Sequence, residues 1–203
     1  MSRTGAGSSL SATSRLAAPS FIARRLLSDT TLGELRSDLS EWLDLFYYEF
    51  FTPRGEVLAA HFDAFVDHFE RVGWVERSGA TLRPTGMGVD NFESLSEQTQ
   101  GFIDVYYATA SAVMSMQEPL TPKELIKSAR EQLDRAEILG EVAAGRKATS
   151  ETTFMNALEQ LERYRIIGRD PEASGKDVPF EAAEAFEDLA ALKERLAFAL
   201  TAR

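Results

Sequence analysis

Two histidines, His61 and His68, are the first residues to weigh for chemistry, and they stand seven positions apart. On a helix that spacing puts both on one face, about two turns apart. A zinc centre needs further ligands at short spacing. None accompanies them, so both are read as surface or half-buried helix residues. The chain has no cysteine, which removes disulfides, thiolate metal sites and a Cys nucleophile, and fits a reducing compartment. Serine, histidine and aspartate are all present, but no Gly-x-Ser-x-Gly elbow raises a nucleophile at a strand-to-helix turn. Neither a Walker loop nor a Gly-x-Gly-x-x-Gly fingerprint occurs; Gly86-Met87-Gly88 is too short and reads as a break. The carboxylates Glu181, Glu184, Glu187 and Asp188 have the spacing of a solvated helix face. No catalytic, cofactor-binding or metal-ligating residue is therefore assigned.

Composition narrows the classes further. With 203 residues and 44% hydrophobic content, the chain can bury one sizeable core or two small ones. A net charge of -10 argues against nucleic acid, whose binding requires Lys and Arg to neutralise phosphates. The charge is uneven: residues 1–27 hold Arg3, Arg15, Arg24 and Arg25 with no acid, so that leader is +4 and the remainder -14. The leader is rich in Ser, Ala, Gly and Thr and is expected to be disordered to about Phe21. Its basic end, Phe21 to Leu27, offers Arg24 and Arg25 as a contact for anionic lipid or for the acidic body. The continuous apolar run of a signal peptide is missing. So is any run of roughly 18 apolar residues, which makes the expected membrane contact peripheral.

The elements that would position a site repeat. Phe62 to Pro84 and Phe154 to Phe180 each show an amphipathic helix ending in Leu/Phe-x-Arg, a short apolar strand, a Gly-bearing turn and a second strand. That is a winged-helix profile written twice. The expected class is mainly α, with two tandem winged-helix-like sub-domains that each carry a small β-hairpin. The boundaries fall at 1–28 for the leader, 29–89 for the first unit, 90–118 for a linking helix and 119–203 for the second unit with a C-terminal helix.

Thr31 and Glu34 form a capping box that opens a helix running to Phe50, with Leu35, Leu39, Leu43 and Phe46 on its stripe. Pro53 ends it and Thr52 caps the next helix, which Gly73 stops. A hairpin around Ser78-Gly79 follows, then a helix from about Asp90 to Met116. Thr121-Pro122-Lys123-Glu124 opens another helix, and Ser150 or Thr149 caps the one carrying Phe154 and Leu158. Ile166-Ile167 and Val178-Phe180 are the second pair of strands, and a final helix runs from about Phe180 to Leu200. The aromatic run Phe46, Tyr47, Tyr48, Phe50 and Phe51 cannot face one stripe. Either that helix is buried on several sides or part of the run is a partner surface.

Leu45 to Pro53 followed by an amphipathic helix and Gly73-Trp74-Val75 resembles the segment downstream of the catalytic domain in membrane-bound glycerol-3-phosphate acyltransferases. Phe102-Ile103-Asp104-Val105-Tyr106, Leu120 to Leu125, and Leu139 through Asn156-Ala157-Leu158 to Ile166-Ile167 are similar to later blocks of that region. The resemblance covers roughly residues 32–170. Enzymes of the family carry a His-x-x-x-x-Asp pair in an amino-terminal α/β domain; here Val66 and Gly73 stand five residues beyond His61 and His68. The resemblance therefore implies a carboxy-terminal region without its catalytic domain. Its implied role is to support phospholipid synthesis by docking to a catalytic acyltransferase or another protein, or to an anionic membrane surface. The implied setting is cytoplasmic, with any attachment peripheral on the inner membrane. No cofactor is implied. The competing reading is a soluble tandem winged-helix scaffold unrelated to lipid, and a DNA-binding regulator is disfavoured by Glu151, Glu159 and Glu162 against Arg163 on the second recognition helix.

Overall fold

Capping chemistry fixes where the helices start. In the computed structural model, residues 12–50, 56–142, 150–173, 175 and 177–201 are described, with backbone alone for 12–17, 56–61, 200 and 201. Helix α1 spans Ala12–Arg25 and a short strand β1 spans Thr30–Thr31. Thr31 then caps α2 (Leu32–Leu45) through the expected box: its hydroxyl accepts from the Glu34 amide at 3.2 Å while the Glu34 carboxylate accepts from the Thr31 amide at 2.8 Å. A single turn α3 (Tyr47–Phe50) and helix α4 (Glu56–Arg71) lead to the hairpin β2 (Val75–Ser78) and β3 (Thr81–Pro84). The long helix α5 (Gly86–Met114) follows, capped by Thr85. Then come α6 (Pro122–Ile138) with the Thr121–Glu124 box, α7 (Glu151–Arg163) with Ser150 as cap, β4 (Ile167–Arg169), β5 (Phe180–Ala182) and α8 (Leu189–Thr201).

The helix-then-sheet succession expected twice is present twice, and the likeness extends to individual bonds. In the first sheet β1 pairs with β3, which pairs with β2; in the second, Leu120 bridges Phe180 of β5, which pairs with β4. Each capping-box helix is thus preceded by a residue that adds a third line of pairing to the hairpin. Helix α4 ends with Gly73 at φ +75°, the Gly73 amide donating to Glu70 O at 3.1 Å and the Trp74 amide to Phe69 O at 2.9 Å. Helix α7 ends the same way on Arg165 at φ +59°, with bonds of 2.8 and 2.9 Å to Glu162 O and Leu161 O. Arg77 of β2 grips Glu70 through two bonds of 2.6 and 2.8 Å. Arg169 of β4 grips Glu162 identically, its Nε donating at 2.9 Å. The recurring Glu-Arg pair in Phe69-Glu70-Arg71 and Leu161-Glu162-Arg163 is therefore half of a staple between helix end and sheet.

Four expectations are corrected. The leader is not structureless to Phe21: from Ala12 it is α1, and Phe21, Ile22, Ala23 and Leu26 are buried. Averaging over the leader hides that its large apolar groups sit together at one end, where Phe21 stacks on Trp42 at 5.7 Å and Phe46 at 5.3 Å. The helix expected to reach Phe50 breaks at Phe46, whose φ of -97° and ψ of +30° let α3 turn inward. Gly86-Met87-Gly88 is not a break but the first turn of α5. Phe180 to Ala182 is strand rather than helix, held by reciprocal Leu120 and Phe180 bonds of 3.1 and 2.8 Å.

Helix α5 does more than link two units. It packs against α1, α6, α7 and α8, and one hydrophobic cluster runs from Phe21 to Leu196 through both halves. Small residues on α5, including Ala108, Ala110 and Ala112, are buried and permit that close approach. The boundaries at 89/90 and 118/119 thus divide the sequence without dividing the core.

Candidate functional site

Two places in this fold gather polar and aromatic side chains. The first is a seam where the end of α7 meets α2, α3 and α5. Arg163 Nη1 donates to the Asp44 carbonyl at 3.1 Å, its Nη2 pairs with the Asp44 carboxylate, and Tyr164 donates to that carboxylate at 2.8 Å. The guanidinium lies 5.1 Å from the Tyr47 ring centroid, and Asn156 donates to Tyr48 O at 3.4 Å. Burial, and then Asp44, push the Tyr164 hydroxyl above the usual phenol range. Glu49 sits alongside, its Oε1 buried without a hydrogen-bond partner of ordinary geometry, as is the Tyr106 hydroxyl. Burial raises the Glu49 carboxyl to about 7, opposed by weaker contributions from Asn156 and Tyr106.

A buried acid that protonates near neutrality is a catalytic signature in an open cleft. Glu49 is half-buried, held against Asn156 of α7 and Tyr106 of α5. Its effect falls on stability instead. A carboxyl whose folded pKa is raised from 4.5 to about 7 contributes fully below pH 4.5, and that contribution is lost as pH climbs to 7. Discounted for partial exposure, the loss is about 2 kcal/mol. Glu49→Gln should therefore raise the urea midpoint at pH 8 and leave it nearly unchanged at pH 4.5; equal shifts at both would refute the assignment.

The second place is a groove of about 460 Å³ between α1, α2 and α8. Phe21 and Trp42 form its apolar floor and Phe198, 72% exposed, stands at its edge. Ion pairs flank it: Arg25 with Asp38 at 2.8 Å and Arg195 with Glu41 at 2.5 Å. Further depressions lie beside Arg165 and Glu184 on the second sheet and at the α5–α6 junction near Ser115 and Ser128.

Of the aromatic run read from sequence as either buried on several sides or partly a partner surface, Phe46 and Phe50 are core residues, 0% and 2% exposed. Tyr47 and Tyr48 are half-buried on the seam, and Phe51 lies outside the described residues. Arg24 is not on the surface either. It is buried, donating to Ala199 O at 2.7 Å, Ser96 O at 2.9 Å and Gln100 Oε1 at 2.5 Å, so it does not present its charge to a lipid headgroup. Arg25 stays at the groove rim, bound to Asp38. His68 is exposed beside Phe69, and the His61 side chain is outside the described set. Among the described residues no cluster of His, Asp and Glu could hold a metal ion. Glu181, Glu184, Glu187 and Asp188 are exposed as expected, although spread over β5, the turn after it and a short 3-10 helix (Phe186–Asp188) rather than along α8.

The family model for the glycerol-3-phosphate acyltransferase C-terminal region matches residues 12–170. The chain belongs to that family. No curated protein matches it. The match begins at the first residue of α1, so the family's region includes the helix that composition had assigned to a loose leader. It extends through the seam, taking in Asp44, Glu49, Tyr106, Asn156 and Arg163. Sequence reasoning did not find Asp44 or Glu49, because nothing local marks a carboxylate whose neighbours come from a helix more than 100 residues away.

Proposed function

We propose that this glycerol-3-phosphate acyltransferase C-terminal region is a non-catalytic accessory element that supports phospholipid synthesis by docking on a catalytic acyltransferase partner. The observation that carries this reading is the family match over a chain in which neither histidine has Asp five residues beyond it. The seam supports this: Asp44, Arg163 and Tyr164 are committed to one another inside the chain. The absence of cysteine fits a reducing, cytoplasmic setting. Among the described residues no helix is long and apolar enough to cross a membrane, and the membrane contact we propose is peripheral.

The test mixes the purified chain with a separately produced acyltransferase catalytic domain and reads sedimentation velocity together with acyl transfer from an acyl thioester to glycerol phosphate. A complex is expected, with a transfer rate that depends on it, and no turnover by the chain alone. Turnover by the chain alone overturns the non-catalytic assignment. Failure of the two proteins to associate overturns the docking role.

A further inference from the structure

The duplicated motif leaves the same helix face covered in one copy and bare in the other. Aligning the two Glu-Arg staples sets Glu70 with Glu162, Arg77 with Arg169 and Gly73 with Arg165. That alignment pairs Ala64 with Asn156, His68 with Gln160, Arg71 with Arg163 and Val72 with Tyr164. On α7 these positions are buried or half-buried under α2, α3 and α5. On α4 Ala64, His68, Arg71 and Val72 are all exposed.

What covers the face in the second unit is specific. It is the C-terminal end of a helix: Arg163 takes the carbonyl and the carboxylate of Asp44, one residue before α2 ends, while stacking on Tyr47 in the next turn. The orphan carbonyls and negative pole of a helix end favour a guanidinium there. Arg71 stands at the matching place and makes no hydrogen bond or ion pair with any described residue. Asp67, one turn before it, does not disqualify the site, because Glu159 occupies the same position before Arg163 in the unit whose face is filled.

We propose that the exposed end of α4, centred on Arg71 and Val72, receives the C-terminal turn of a helix of the catalytic partner, one that presents a carboxylate followed by an aromatic residue. This rests on the docking role proposed above and names the surface that performs it. The occupant is chosen by charge and by the repeat: an acidic helix end is what the equivalent arginine already holds inside this chain. Val72 takes the place of Tyr164, so the open face lacks the hydroxyl that adds a second donor to Asp44.

The experiment measures affinity of the full chain for the separately produced catalytic domain, using three variants. Arg71→Glu should weaken binding at least tenfold. Val72→Tyr should tighten it several-fold by restoring the second donor. Lys123→Glu, an equal charge change on the exposed side of α6, should leave affinity unchanged. Because Arg71 and Val72 are exposed, the variants are expected to fold, which unchanged thermal melting would verify. Wild-type binding that Arg71→Glu does not alter overturns this surface while leaving the docking role standing. Absence of wild-type binding removes the docking role and this surface with it. Self-association of the chain that Arg71→Glu abolishes would make the occupant a second copy and overturn the assignment to the catalytic partner.

Discussion

Gly88→Ala is expected to cost more than about 3 kcal/mol, the upper range for forcing atoms into a filled space. A Cβ built on Gly88 would lie 1.9 Å from the Trp74 carbonyl oxygen and 2.8 Å from its carbon, both backbone atoms. A flexible side chain could swing away, but this carbonyl is pinned. It accepts the Thr85 amide at 3.0 Å, while the Thr85 hydroxyl donates to Gly73 O at 2.8 Å and accepts the Gly88 amide at 3.0 Å. The knot ties together the end of α4, the first sheet and the cap of α5, and Trp74 packs within it on Phe69 at 5.5 Å and Phe92 at 5.8 Å. Relief of the clash must therefore separate sheet from helix. Equilibrium urea unfolding should show the loss, accompanied by a change in Trp74 fluorescence; a variant within about 0.5 kcal/mol of wild type would show that the approach is looser than described. Gly86→Ala is the control, since nothing lies within 4 Å of a Cβ at that position.

Gly88 also shows how far the sequence could be read. The caps were legible because Thr31 with Glu34, Thr121 with Glu124, and Ser150 act within three residues of themselves. The mainly helical class and both hairpins followed from periodicity and turn residues. Gly73 was recognisable as a helix stop, whereas Arg165 was not, because a left-handed non-glycine residue carries no compositional flag. Two glycines around Met87 look like a breaker until the Trp74 carbonyl is placed against one of them. The two-residue strand β1 was missed since its identity lies in pairing with Leu82 and Thr81, not in its own residues. For the site, the aromatic run was correctly seen to exceed one stripe. Which rings turn inward was decided by Phe21 and Tyr106, supplied by segments on either side.

The repeat explains why so many polar groups are internal. Had the second unit kept its α7 face open as α4 does, Asp44 would lose Arg163 and Tyr164 as partners and the two halves would touch through α5 with fewer polar ties. Instead Arg163 and Tyr164 anchor α2 and α3 against α7. The seam is consequently a device for setting the units against each other, and the open α4 face is the one we propose for an external helix. That division of labour between two copies of one motif is the geometric support for the docking role we propose.

Arg24→Ala should lose about 3–5 kcal/mol, the range for removing one partner from a buried charged network. Its guanidinium joins three elements, donating to Ala199 O on α8, 175 residues away, and to Ser96 O and Gln100 Oε1 on α5. Gln100 in turn donates to Asp104 at 2.7 Å, and Asp104 is itself buried. The positive charge at Arg24 is thus relayed toward a buried carboxylate, and the carbonyl of Ala199 receives a donor near the end of its helix. Truncation takes the donor from all three acceptors at once, which is where the cost arises. Arg24→Lys keeps the charge but not the planar fork, and an intermediate loss is expected. The sharper readout is local. Hydrogen exchange should quicken in α1 and α8 before it does in α6, because Arg24 bonds directly to α8 and α5 from α1. Uniform quickening across all helices would mean that Arg24 supports the core generally and does not clasp the termini.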